Sequence, residues 1–109
     1  MATIRAFVYK EPVVRGVLGD SYKVFPPVVI LSKNDKFQLV NATDQDVLLT
    51  IPPDVFSTPA NRKKVDKGKK SAEFSPRENL EIAIGVQYEV EVDGKKATAN
   101  SDPVIIIDP

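Results

Sequence analysis

The sequence predicts an all-β protein, an antiparallel Greek-key β-sandwich of about seven to nine short strands. Three observations lead to this class. Segments rich in β-branched and aromatic residues recur along the 109 residues, and turn signals separate them at intervals of about ten residues. No stretch carries a long helical period, and the stretch 86–93 alternates apolar and polar residues without a break.

The stretch 86–93 is the clearest strand in the sequence, because its two faces differ completely. Its apolar face has Val86, Tyr88, Val90 and Val92, and its polar face has Gln87, Glu89, Glu91 and Asp93. Asp93-Gly94 follows directly. Both central residues of a type I′ turn need φ > 0, which Asp-Gly adopts at low cost. We therefore expect a hairpin with residues 95–98 as its return strand.

Several further strands precede this hairpin. They are predicted at Thr3–Tyr9, Val13–Val14, Tyr22–Phe25, Val28–Leu31, Phe37–Asn41 and Asp46–Ile51. Pro26-Pro27 and Pro52-Pro53 end the strands before them, because proline donates no hydrogen bond to a ladder. Turns are expected at 16–21, at 34–35 and at 41–46. The first strand has no proline and one charge, Arg5, so it is the least protected strand if it lies at an edge.

The remaining segments carry weaker signals. Residues 53–60 fit a short helical turn or a surface loop, and residues 78–84 fit one helical turn that Asn79 and Gly85 keep short. Ser71–Phe74 resumes alternation with Ala72 and Phe74 inward. A turn at 100–103 leads into Val104–Ile107, whose apolar residues on both faces predict burial on both sides. The predicted core is Phe7, Phe37, Leu39, Val47, Leu49, Phe74, Tyr88, Val90 and Ile105.

Composition limits the possible functions. The length fits one domain spanning residues 1–109, and 15 basic residues balance 15 acidic ones, so net charge recruits neither nucleic acid nor membrane. Cysteine and histidine are absent, which excludes disulfides, thiolate or imidazole catalysis and the usual zinc and copper sites. We expect no cofactor. Without a signal-peptide pattern or a long apolar run, the sequence predicts a cytoplasmic protein outside the membrane.

The layout of residues 26–108 resembles that of the cupredoxins, the plastocyanin and azurin group. The similar segments are Pro27–Leu31, Phe37–Asn41, Asp46–Ile51, Gly85–Val90 and Pro103–Ile107. Asp46 lies near the position of the first histidine ligand, and Val90 lies near that of the cysteine. A blue-copper site needs thiolate and imidazole ligands, so the resemblance implies a cupredoxin-like fold without metal. An immunoglobulin-like sandwich fits the strand pattern equally well.

Two charged regions form a possible interaction surface. The basic segment 62–70 contains Arg62, Lys63, Lys64, Lys67, Lys69 and Lys70, and the acidic face of the long strand contains Glu89 and Glu91. Clustered cations can bind phosphate, but lysines also protect an exposed sheet edge, and no aromatic residues alternate with these to stack on bases. The acidic face could pair with part of the basic segment across strands.

Other chemistry has less support. Asp44, Asp46 and Asp102 offer oxygen ligands but no calcium-loop spacing, and Asn41-Ala-Thr43 matches the glycosylation triplet without a secretory signal. Paired carboxylates for a hydrolase need a cleft that a sequence does not reveal.

The sequence therefore favours a non-catalytic binding or assembly module with a protein partner, which includes a homodimer through an edge strand. The alternatives are a nucleic-acid or phosphate-binding domain that uses residues 62–70, and a hydrolase whose carboxylates converge in the fold.

Overall fold

The computed structural model describes residues 2–11, 22–57, 62–97 and 103–109. These residues form ten strands: β1 Thr3–Lys10, β2 Tyr22–Phe25, β3 Val28–Ser32, β4 Lys36–Asn41, β5 Val47–Thr50, β6 Arg62–Val65, β7 Ile84–Gln87, β8 Glu89–Val92, β9 Lys95–Ala97 and β10 Val104–Asp108. The predicted strand Val13–Val14 and the turns at 16–21 and 100–102 lie outside the described residues. The protein is all-β, as the sequence predicts.

The strands form three sheets. Sheet A has the order β2-β1-β4, sheet B has the order β3-β10-β7, and sheet C has the order β6-β5-β8-β9. Most neighbours are antiparallel, but β1 pairs with β4 and β10 pairs with β3 in parallel. Residues 69–74 run along the outer edge of β4, where Phe37 and Phe74 exchange two backbone hydrogen bonds. The sheets share one hydrophobic cluster, which is consistent with a β-sandwich.

The predicted core is correct except at Phe7. The other eight residues of that set are buried, and Phe37 contacts both Tyr88 and Phe74 through ring centroids 5.2 and 6.5 Å away. Phe7 is 42% exposed, because its neighbours Ala6 and Val8 occupy the inner face of β1. Arg5, Phe7 and Tyr9 share the other face of β1. The charged Arg5 indicates that this face is the one exposed to solvent.

The 86–93 stretch has the predicted faces but forms two strands. Tyr88, Val90 and Val92 are buried and Val86 is partly buried, whereas β7 pairs with β10 and β8 pairs with β5 and β9. The chain passes from sheet B to sheet C at Tyr88, whose N–H donates to the carbonyl of Pro103 at 3.0 Å. Asp93 and Gly94 both have positive φ, 51° and 75°, as the predicted type I′ hairpin requires.

β1 is the central strand of sheet A. It pairs with β2 on one side and with β4 on the other, so it is not the exposed edge strand that the sequence allowed. Residues 53–57 and 78–83 contain turns, bends and one isolated bridge, and neither segment is helical.

Two inward orientations expected from the sequence differ in the structure. Ala72 is exposed, because the inward positions of its segment belong to Ser71 and Phe74. In β10, Ile105 and Ile107 are buried while Val104 and Ile106 are only partly buried, so one face of that strand is covered less than expected.

Candidate functional site

The basic segment is divided between two faces of an edge strand and a turn. β6 is the first strand of sheet C, and Arg62 and Lys64 are exposed while Lys63 and Val65 alternate with them on the inner side. Lys67 and Gly68 form a turn, where Gly68 has a φ of 70°. The backbone N–H of Asn41 bonds to the carbonyl of Lys69. Because Lys63 lies on the opposite face of β6 from Arg62 and Lys64, the six cations do not share one surface.

One member of the cluster is already engaged in ion pairs. Lys64 Nζ lies 3.4 Å from the carboxylate of Asp46 and 3.6 Å from that of Asp66. The backbone N–H of Lys67 donates to Asp46 Oδ1 at 3.0 Å, and this bond is the main reason that the pKa of Asp46 is lowered. The hydrogen bond from Lys64 to Asp46 in turn raises the pKa of Lys64. These contacts tie the turn of the basic segment to the start of β5.

The acidic residues pair with the hairpin that follows them. Lys96 Nζ on β9 donates to Glu89 Oε1 at 3.1 Å. β5 separates β8 from β6: Leu48 lies between Glu91 and Lys64, and Thr50 lies between Glu89 and Arg62. The expected pairing of the acidic face with the basic segment is therefore wrong, because two inter-strand spacings separate the charges.

The Asn41-Ala-Thr43 triplet is a buried hydrogen-bond network. Asn41 is 1% exposed, and its Nδ2 donates to the carbonyls of Gln45 and Val65 at 2.8 and 3.1 Å. Its Oδ1 accepts the N–H of Thr43 at 3.0 Å and lies 2.6 Å from Thr43 Oγ1. Every hydrogen-bonding site of this amide is used, so it joins β4, the following loop and β6 and is inaccessible to glycosylation.

The described residues give no geometric support to the calcium-site and hydrolase hypotheses. Among the described residues no three acidic side chains approach one another as metal ligands would, Asp46 is paired with Lys64, and Asp102 lies outside those residues. An open cavity of about 190 Å³ has Asp35 and Glu78 in its lining. Asp35 accepts hydrogen bonds from the N–H groups of Ala2 and Ser32, so its carboxylate caps backbone groups.

The outer faces of sheets A and B expose apolar side chains, which was not predicted from the sequence. On sheet A, Phe25 lies opposite Phe7, and both are exposed, at 61% and 42%. On sheet B, Val28 and Ile30 of β3 are exposed, at 46% and 61%, beside Val104 and Ile106 of β10. We call the set Val28, Ile30, Val104 and Ile106 the sheet B patch. The continuous apolar runs 28–31 and 104–107 contain the signal for it, because a strand with apolar residues on both faces needs a cover on both faces.

β3 is also an edge strand with open backbone groups. The N–H of Val104 donates to the carbonyl of Pro27, which fixes the parallel ladder so that the backbone groups of Val29 and Leu31 point toward β10. Those of Val28, Ile30 and Ser32 then point away from it. The groups of Ser32 are satisfied locally, since its N–H donates to Asp35 Oδ2 and its carbonyl accepts the N–H of Asp35. Within the described part of the chain, Val28 and Ile30 have no strand on that side.

No protein-family model matches the sequence, and none of the curated proteins is significantly similar to it. The described residues include no helix that is long and apolar enough to cross a bilayer.

Proposed function

We propose that this protein is a non-catalytic binding or assembly module that contacts a protein partner through the sheet B patch and the open edge of β3. The observation that carries this proposal is the exposure of Ile30, 61%, on a strand where the outward backbone groups of Val28 and Ile30 have no partner among the described residues. An edge strand with apolar side chains offers a partner both backbone hydrogen bonds and apolar contact.

The charged regions give less support to a nucleic-acid partner. Strand alternation separates Lys63 from Arg62 and Lys64, and Lys64 is held by two carboxylates. A nucleic-acid-binding groove instead needs several unpaired cations along the path of the phosphate backbone. For single-stranded nucleic acid it also needs aromatic rings that stack on the bases.

A cupredoxin-like fold without metal is part of the same proposal. At the two positions nearest the copper ligands, Asp46 is a surface carboxylate bonded to Lys67 N and Lys64, and the side chain of Val90 is fully buried. Neither residue offers the thiolate or imidazole that copper requires. Such a domain would have the cupredoxin layout and would act through its surface.

Site-specific photocrosslinking tests the proposal. A photoreactive amino acid is placed at Ile30 in one variant and at Ile82 in a control variant, because Ile82 is also an exposed apolar residue, at 75%, but lies outside the strands. Both variants are irradiated in the cells that naturally express the protein, and the products are identified by mass spectrometry. We expect a defined protein adduct at position 30 that position 82 does not give.

Absence of an adduct at position 30, or the same adducts at both positions, would contradict the proposed contact surface. A parallel electrophoretic shift assay with single-stranded and double-stranded DNA and RNA at low salt tests the alternative. Binding that weakens steeply with salt and is lost on charge reversal of Lys67, Lys69 and Lys70 would favour the nucleic-acid hypothesis instead.

A further inference from the structure

We propose that the partner at the edge of β3 is a second copy of this chain, joined by antiparallel β3–β3 pairing about a twofold axis midway between the two Val29 residues. This inference rests on the proposed function and names its partner. A symmetric dimer brings the same patch of both subunits together, so the edge must be complementary to itself.

The open backbone groups meet that requirement. Within the described part of the chain, Val28 and Ile30 are the residues of this edge that direct unpaired N–H and C=O groups outward, because Pro27 has no N–H and Asp35 caps Ser32. With Val29 opposite its own copy, Val28 lies opposite Ile30 of the second chain and Ile30 opposite Val28. Residues in antiparallel strands alternate between hydrogen-bonded and non-bonded pairs, so both of these pairs are hydrogen-bonded. The four resulting bonds use every open group of the segment.

The side chains are equally compatible with this register. Val28 and Ile30 lie on the outer face of β3, where each would contact the other residue type of the second chain. The apolar stripe then continues from Ile106 and Val104 of one subunit to those of the other. β3 carries no charged side chain, and the whole chain has a net charge of zero, so neither local nor global repulsion opposes association.

The other edges of the described sheets differ from β3. β6 and β9, the two edges of sheet C, carry Arg62, Lys64, Lys95 and Lys96, which discourage strand addition. β2 carries Lys23 as well as the exposed Phe25, and β7 exposes Gly85 and Gln87. Among the described edges, β3 is the one with two exposed large apolar residues and no charged side chain.

The test measures self-association by sedimentation velocity on the intact protein from low to high micromolar concentration. We expect a concentration-dependent dimer. Ile30→Pro removes one outward N–H and no bond to β10, and Ile30→Lys places a charge at the edge without altering the backbone. Each should raise the dissociation constant at least about tenfold. Ile82→Lys, the same charge change at another exposed apolar site, should leave the dissociation constant unchanged, and melting temperatures confirm that each variant is folded.

Amide hydrogen exchange gives a second readout that does not depend on substitutions. The amides of Val28 and Ile30 should become protected as concentration rises, while those of Val29 and Leu31, bonded to β10, are protected at every concentration. A monomeric protein at high micromolar concentration, or a dimer unaffected by both Ile30 variants, would overturn the self-pairing. If photocrosslinking at position 30 still captured another defined protein, the proposed function would stand without it.

Discussion

Two polar regions lie side by side between β4 and β6, and they differ in almost every physical respect. Asn41 and Thr43 are buried and hydrogen-bonded to one another and to the backbone. Lys64, Asp46 and Asp66 form ion pairs at the surface, where the side chain of Lys64 is 66% exposed. Both regions connect the β4–β5 loop with β6, yet only the first has exchanged water for protein partners.

The comparison shows that burial decides how much a polar contact matters. A buried amide that loses a partner leaves donors and acceptors without water to replace it, which costs about 1–3 kcal/mol for each group. An exposed ion pair competes with hydration and is screened by salt, so its loss changes little. The lysines of 62–70 stand out in the sequence, but the structure indicates that Asn41 contributes more to the free energy of unfolding.

The largest effect is expected for Asn41→Asp. This isosteric change removes both donors of Nδ2 and turns a carboxylate oxygen toward the carbonyls of Gln45 and Val65. We expect a loss of at least about 3 kcal/mol in the free energy of unfolding at pH 7, measured by urea denaturation. Burial raises the pKa of the new carboxyl, so the loss should shrink as pH falls and the group becomes a neutral donor.

Ala42→Ser is the matched control for this change, because Ala42 is the next residue in the chain but is exposed. Its free energy of unfolding should stay close to that of the unmodified protein. An Asn41→Asp protein as stable as this control would mean that the amide network contributes no stability.

A change in the opposite direction is expected for Tyr88→Phe. Tyr88 is 1% exposed, and its hydroxyl has no hydrogen-bond partner among the described residues. Removing an unsatisfied buried hydroxyl should stabilise the protein by about 1 kcal/mol.

The same position predicts an alkaline effect with a definite sign. Burial raises the pKa of Tyr88 above its usual value. The folded protein therefore holds the phenol proton where the unfolded chain releases it, and stability is lost as pH rises above about 10. Thermal unfolding between neutral and alkaline pH should show a smaller decline for Tyr88→Phe. A less stable variant at pH 7 would instead indicate that a bound water satisfies the hydroxyl.

The smallest effect is expected for Asp46→Asn in the exposed ion pairs. The hydrogen bond from the N–H of Lys67 lowers the pKa of Asp46, so its contribution is present above the pKa of the unfolded chain and is lost as pH falls through the folded value. The melting temperature at pH 7 should change little, and the difference from the unmodified protein should vanish in acid. A decrease as large as that of Asn41→Asp would contradict the comparison.

Much of the local structure could be predicted because it depends on neighbouring residues. Proline pairs end β2 and β5, Asp93-Gly94 makes the hairpin, and alternation assigns the inner faces of β4 and β8. Phe7 shows how even a readable pattern is misjudged when an aromatic residue is assumed to be buried. The break at Tyr88 was invisible, because side-chain alternation continues through it while the backbone partner changes.

The sequence by itself determined the all-β class, the turns and the inner face of most strands, since these follow from dihedral preferences and a period of two residues. Tertiary structure alone decided which strands are edges, how the lysines of 62–70 are divided and that Asn41 is hydrogen-bonded to β6. These outcomes depend on residues far apart in the chain, such as Val104 beside Val28 and Val65 beside Asn41. Local patterns contain no information on such pairings, because many pairings of the same strands bury the same apolar faces.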